Sequence, residues 1–200
     1  MVFAQPFGIA ALNYHVIKMD YENSGGEKGS TFFKYNKQGI LVKALWSLDN
    51  KSRYSINYYE HDLNGNIVTA FREFSDSLTS SELFIYDSEG NKISEQFYRS
   101  DSVSGSASYH YKDNHLVQAD LKNYKGWING TLKYQYNTKN NPVKGILAKD
   151  SKTICHIDYA YDDNGNLVKE FWNFNEKWSQ TFYYFMLIRY CTSNYLPLQL

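Results

Sequence analysis

The chain has 200 residues, 21 basic against 21 acidic side chains and a formal net charge of zero. That balance excludes a basic nucleic-acid binder and an acidic tail, since each needs a field of one sign. Nineteen Tyr, twelve Phe and four Trp make 18% of the residues aromatic, which argues for a folded chain rich in half-buried pleated surface.

Two cysteines, Cys155 and Cys191, are too few for a disulfide scaffold and leave one bridge or two free thiols open. The longest apolar run, from Phe182 to Ile188, ends at Arg189 and falls short of the roughly 18 residues of a membrane helix. Residues 1–30 read as an N-terminal segment holding the first strand or strands. Val2-Phe3-Ala4-Gln5 looks like the end of a bacterial secretory signal whose charged and apolar parts are missing.

Residues 31–184 are a repeat array. In chain order its units centre on Tyr35-Asn36-Lys37-Gln38-Gly39, His61-Asp62-Leu63-Asn64-Gly65 and Tyr86-Asp87-Ser88-Glu89-Gly90. The shorter Tyr111-Lys112-Asp113-Asn114 follows, then Tyr136-Asn137-Thr138-Lys139-Asn140 and Tyr161-Asp162-Asp163-Asn164-Gly165. The anchors Gly39, Gly65, Gly90, Asn114, Asn140 and Gly165 lie 24 to 26 residues apart. Asp or Asn, then polar residues, then Gly or Asn is the pattern of a type I turn closed by a positive-φ residue, a G1 bulge. Asp113-Asn114 predicts a tighter two-residue turn.

Around each anchor the sequence alternates with period two. Aromatics precede the turn in pairs, as in Phe33/Tyr35, Tyr109/Tyr111 and Tyr159/Tyr161. Val42/Ala44/Trp46, Val68/Ala70/Arg72, Ile93/Glu95/Phe97 and Val168/Glu170/Trp172 follow it. Alternation of this kind marks strands with one buried face. The expected fold is all-β: a curved antiparallel meander of about twelve strands, built from six β-hairpin repeats of roughly 25 residues. Residues 185–200 lose both turn signal and alternation and read as an irregular apolar C-terminal tail.

The Tyr-Asp-x-x-Gly-Asn-Leu core, carried best by Tyr159 to Val168 and Phe84 to Ile93, resembles the YD repeat of RHS and teneurin-type proteins. The resemblance covers Phe32 to about Tyr184. It implies hairpin ribbons on secreted or surface proteins, often described as carbohydrate-binding, and hence an extracytoplasmic address (periplasm, cell surface or medium). The period is longer than the family's, the Gly of its second turn is absent, and the array is too short for the family's hollow shell.

Chemistry-bearing residues do not assemble into a catalytic or cofactor motif. His61 stands at a repeat Tyr position. His110 and His115 flank one turn without a Cys or carboxylate at zinc-ligand spacing. Cys155 and His156 are adjacent, so a strand would turn them to opposite faces. Asp62, Asp87, Asp162 and Asp163 sit in turns, where Asp caps its own backbone. Asn129-Gly130-Thr131 matches a glycosylation acceptor. Trp127, Trp46, Trp172 and Trp178 are the candidate ligand-binding residues, with Trp127 first because it lies in a loop between strands. The expectation is a non-enzymatic secreted or surface module that needs no cofactor or metal and does not insert into a membrane. It would bind a carbohydrate or protein ligand. The alternative is an assembly scaffold, a fragment of a longer ribbon that self-associates through an open edge strand.

Overall fold

The computed structural model describes residues 14–175 and 178–188. Fourteen strands run in chain order: β1 (Tyr14–Asn23), β2 (Lys28–Tyr35), β3 (Leu41–Leu48), β4 (Tyr54–His61), β5 (Ile67–Phe74), β6 (Thr79–Tyr86) and β7 (Lys92–Arg99). β8 (Ser102–Lys112), β9 (His115–Tyr124), β10 (Ile128–Tyr136), β11 (Pro142–Lys149), β12 (Lys152–Tyr161), β13 (Leu167–Phe174) and β14 (Trp178–Ile188) complete the set. Each strand pairs antiparallel with its sequence neighbours, and β1 pairs with β14, so the sheet is a closed barrel.

This corrects the open meander of about twelve strands. Segments flanking the six hairpins supply the extra strands, and they meet with Met19 opposite Tyr184 and Tyr21 opposite Phe182. β14 also runs four residues into the stretch read as an irregular tail; residues 189–200, with Cys191, and the signal-like residues 2–5 lie outside the described residues. Closure satisfies the backbone groups that an edge leaves exposed. Each described strand has two neighbours, which removes the open edge that the scaffold reading required.

The repeat residues have separable physical jobs. Gly39, Gly65, Gly90 and Gly165 carry φ between 78° and 85°, and Asn114 and Asn140 both sit at 60°. Glycine accepts this backbone without steric cost, and Asn tolerates it best among the others. Asp113 (50°) joins Asn114 in the left-handed region, as a two-residue primed turn needs. In the five-residue turns the first side chain organises the loop. Asp62 Oδ1 accepts from the Asn64 and Asn66 amides, while Oδ2 accepts from Asn66 Nδ2 at 2.9 Å. Asp87 and Asp162 repeat this arrangement. Their carboxyls are held below the usual range, that of Asp62 chiefly by the Asn66 side chain and that of Asp87 by the Asn91 backbone.

The tyrosine ahead of each turn ties successive hairpins together. Tyr35 donates to the Val16 carbonyl, Tyr86 to Ile67, Tyr111 to Lys92, Tyr136 to Leu116 and Tyr161 to Pro142, at 2.7 to 3.1 Å. His61 stands where the sixth rung would be. Two residues earlier the ring faces a small partner: Phe33 opposite Ala44, Tyr59 opposite Ala70, Tyr109 opposite Ala119 and Tyr134 opposite Gly145. A Cβ at Gly145 would stand 3.1 Å from Ile157 and 3.2 Å from Leu132, so the interior is close-packed there.

Inward positions bury this aromatic and aliphatic set; Ala44, Leu132, Leu147, Cys155 and Phe182 are fully inaccessible. Outward positions alternate with them and carry many charged and hydroxyl side chains, among them Lys43, Glu73, Asp120, Lys133, Lys144, Asp158 and Lys169. The interior is mostly aromatic and aliphatic with a few buried charges, and the outer face mixes polar and apolar side chains.

Candidate functional site

The barrel has two unlike ends. One carries the repeat turns; the other carries the connections from β1 to β2, β3 to β4 and so on round to β13 to β14. Aromatic side chains gather at this second end. The β9–β10 connection holds Lys125, Gly126 and Trp127, with Lys125 at φ 51° and Gly126 at 89°. That bend delivers the Trp127 ring onto Phe174 at 5.0 Å and edge-on to Trp178 at 5.8 Å. Phe174 and Trp178 lie 5.2 Å apart, and Phe174 stacks on Trp172 at 6.1 Å. Trp127 stays 41% exposed, whereas Trp172 is buried.

Three of the four candidate tryptophans are therefore brought together. Trp127 and Trp178 form the accessible layer of the cluster and Trp172 the buried layer beneath it. Trp46 is elsewhere: it is buried against Tyr21 at 6.2 Å, and the Tyr21 ring in turn lies against Gly29. Trp46 and Trp172 share one repeat position and both face inward, but of the two it is Trp172 that stacks on Phe174 beneath Trp127. Phe174 was not singled out, although it stands two residues beyond Trp172 on the same strand face, so the period of two could have found it. Asn129 of the acceptor triplet is engaged, its Oδ1 accepting from the Asn123 amide and its Nδ2 donating to the Trp127 carbonyl.

Beside this mouth lies a buried ionic network that sequence reasoning missed. Glu82 Oε1 accepts from Arg72 Nη2 and Lys125 Nζ, each at 3.1 Å. Lys125 also stands 3.7 Å from Glu95, which accepts from Lys92 at 2.9 Å and from Tyr109 at 2.7 Å. Burial pushes the Glu95 carboxyl up, but Lys92 and Lys125 outweigh it and leave the group below the usual carboxylate range. Lys125 Nζ also sits over the rings of Phe97 and Tyr124. The network anchors the base of the loop that carries Trp127. Its signal in the sequence was a charge at an inward repeat position: Arg72 where other units hold Trp46, Phe97 or Trp172, and Glu95 where they hold Ala44, Ala70 or Ala119.

Glu170 breaks the pattern in the same way, with no cation beside it among the described residues. It is buried, accepts from Trp172 Nε1 at 3.1 Å, and is also bonded by Tyr184. Desolvation pushes its carboxyl up to about 7 against these two bonds.

The remaining chemistry-bearing residues stay apart. His110 Nε2 meets Asp120 at 2.8 Å on the outer face, while His115 Nδ1 meets the Asp113 carbonyl and its ring edges onto Tyr136. Cys155 points inward and burial pushes its thiol up to about 12, while His156 points outward. Among the described residues no three His, Cys, Asp or Glu side chains could jointly hold a metal ion.

No protein-family model and no curated protein matches the chain. Among solved structures it is similar to a porin-like protein from Bacteroides uniformis ATCC 8492, with a TM-score of 0.51 and 11% identity over 86% of this chain and 98% of that one. At that identity the likeness is one of fold, a β-barrel. It is also similar to part of a Photorhabdus luminescens Tc holotoxin pore (TM-score 0.33, 10% identity, 80% of this chain, 9% of that one). A TcdB2-TccC3-Cdc42 complex gives a TM-score of 0.31 and 13% identity over 74% of this chain and 9% of that one.

Proposed function

We propose that the protein is a non-enzymatic β-barrel binding module, working outside the cytoplasm, that takes a carbohydrate against the Trp127, Phe174 and Trp178 rings at one mouth of the barrel. The observation that carries this reading is the half-exposed Trp127, held edge-on to a second tryptophan over a ring stack. Rings of this kind offer a wide amphipathic platform at small conformational cost, and the ionic network fixes the loop that presents them. An exported address draws on the signal-like Val2-Phe3-Ala4-Gln5 and on the YD-like repeat.

A membrane pore is the reading that a porin-like neighbour would suggest. Membrane barrels place apolar residues outward and polar ones inward; this barrel fills its interior mostly with aromatic and aliphatic side chains and carries lysines on its outer face. Lys43, Lys133, Lys144 and Lys169 stand outward within their strands. A lipid-facing Lys near the midplane costs roughly 2–4 kcal/mol, so a few of them would offset most of a typical folding free energy of about 5–15 kcal/mol. The aromatic interior also leaves no water-filled lumen at positions such as Leu132 and Phe182.

The test is a glycan array followed by calorimetric titration with wild-type protein and the Trp127→Ala and Trp178→Ala variants. Each truncation is expected to weaken binding at least tenfold while leaving the thermal midpoint nearly unchanged. An empty array, or a glycan bound equally well by both variants, refutes the reading; capture of a protein ligand with no glycan bound would also refute it.

A further inference from the structure

The outer face of the barrel is uneven. On β2 to β6 the outward positions include Phe32, Leu45, Tyr58, Phe71, Leu83 and Ile85, each 38 to 50% exposed. Strand register makes them neighbours: Phe32 is opposite Leu45, Leu45 opposite Ile56, and Tyr58 opposite Phe71. Leu83 is opposite Thr69, two residues from Phe71 on the same face of β5. On the far side of the barrel the outward positions hold Gln96, Ser108, Gln118, Lys133, Lys144 and Asp158 instead. Exposed apolar side chains are densest on β2 to β6; elsewhere they stand more singly, as Val103 does on β8 and Phe185 on β14.

The six side chains together expose roughly 550 Å² as one tilted belt, near the upper limit for a monomer's largest apolar patch and a large share of the about 800 Å² that one side of a standard interface buries. Charge is distributed unevenly along the belt. Lys34 and Lys43 face each other directly across β2 and β3, a like-charge pair that is unfavourable in isolation. Glu60 and Glu73 lie on β4 and β5. The belt thus has a basic flank and an acidic flank, one strand apart.

We infer that this belt is an isologous interface with a second copy of the chain. A two-fold axis crossing β4 between Ile56 and Tyr58 sets Lys43 of one copy against Glu73 of the other, and symmetry makes the contact twice. The same axis lays Leu45 and Phe71 of one copy over Ile56 and Tyr58 of its partner. The association uses the face of the sheet and leaves the barrel closed, and the Trp127 mouth stays open in both copies.

Sedimentation equilibrium of the full chain over a wide concentration range tests this. The expected result is a reversible dimer whose dissociation constant rises at least tenfold in Phe71→Lys and in Leu45→Lys, and is unchanged in Ile146→Lys on the polar half. Lys43→Glu and Glu73→Lys are each expected to weaken the dimer, and the double charge reversal to restore it. Circular dichroism confirms that each variant folds, as exposed positions should allow. A monomer at all concentrations overturns the inference, as does a dimer indifferent to Phe71→Lys and Leu45→Lys or a double reversal no better than the single ones. Vesicle binding by a monomer, or dimerisation only after removal of residues 1–13 or 189–200, overturns it too by naming lipid or the chain's own ends as the cover.

Discussion

Glu170 offers a prediction whose size comes directly from the structure. Its carboxyl is buried with two neutral donors and no cation among the described residues, and desolvation pushes it up to about 7 from the 4.5 of an ordinary glutamate. The folded protein therefore holds a proton that the unfolded chain has already released between those two values. Stability is full below about pH 4.5 and declines as pH rises through 7, because ionising the buried group costs the folded state alone. Two and a half pKa units correspond to about 3 kcal/mol at 1.36 kcal/mol per unit. Glu170→Gln mimics the neutral acid and keeps an acceptor for Trp172 and Tyr184. Urea unfolding of both proteins at pH 4, 6 and 8 gives a double difference in which all other titrations cancel. The wild type should lose about 3 kcal/mol relative to the variant between pH 4 and 8. A difference that stays constant across this range would refute the burial argument, and a difference of opposite sign would mean that a cation faces the carboxylate.

Lys125→Met removes the cation shared by Glu82 and Glu95 and should destabilise the barrel by about 3–5 kcal/mol, since it strands buried carboxylates; thermal denaturation measures it. Tyr136→Phe deletes the hydroxyl bond to the Leu116 carbonyl and should cost about 1 kcal/mol, and the same change at Tyr86 should add to it because the two rungs are far apart. Ser151→Gly relieves a φ of 63° in the turn between β11 and β12 and should raise stability by about 0.5–1 kcal/mol in urea unfolding.

Local rules were readable because each repeat writes them in full. Period two placed the strands, Asp-x-x-Gly placed the turns, and the Tyr pairs marked the inward face. Closure was not readable in the same way. It depends on β1 and β14, whose sequences lack the turn motif, and on a strand count that lets the last meet the first. Nothing local in Tyr21 or Phe182 announces that they will face each other. The site shows the same division. Trp127 stood out as a loop aromatic, but its joining Phe174 and Trp178 follows from the curvature that brings β9–β10 and β13–β14 to one mouth. The ionic network was visible only as exceptions, Arg72 and Glu95 at positions where other units hold Trp or Ala. Its partner Lys125 lies outside the repeat core, so the pairing needed the third dimension.

The four tryptophans also provide the most direct test of the account. Nuclear magnetic resonance of nitrogen-15-labelled protein resolves their indole N–H signals during titration with neutral oligosaccharides. The account predicts that the Trp127 and Trp178 signals shift together and saturate, while that of Trp46, sealed inside the barrel against Tyr21, stays still. Indole signals indifferent to every oligosaccharide, or a shift confined to Trp46, would contradict it.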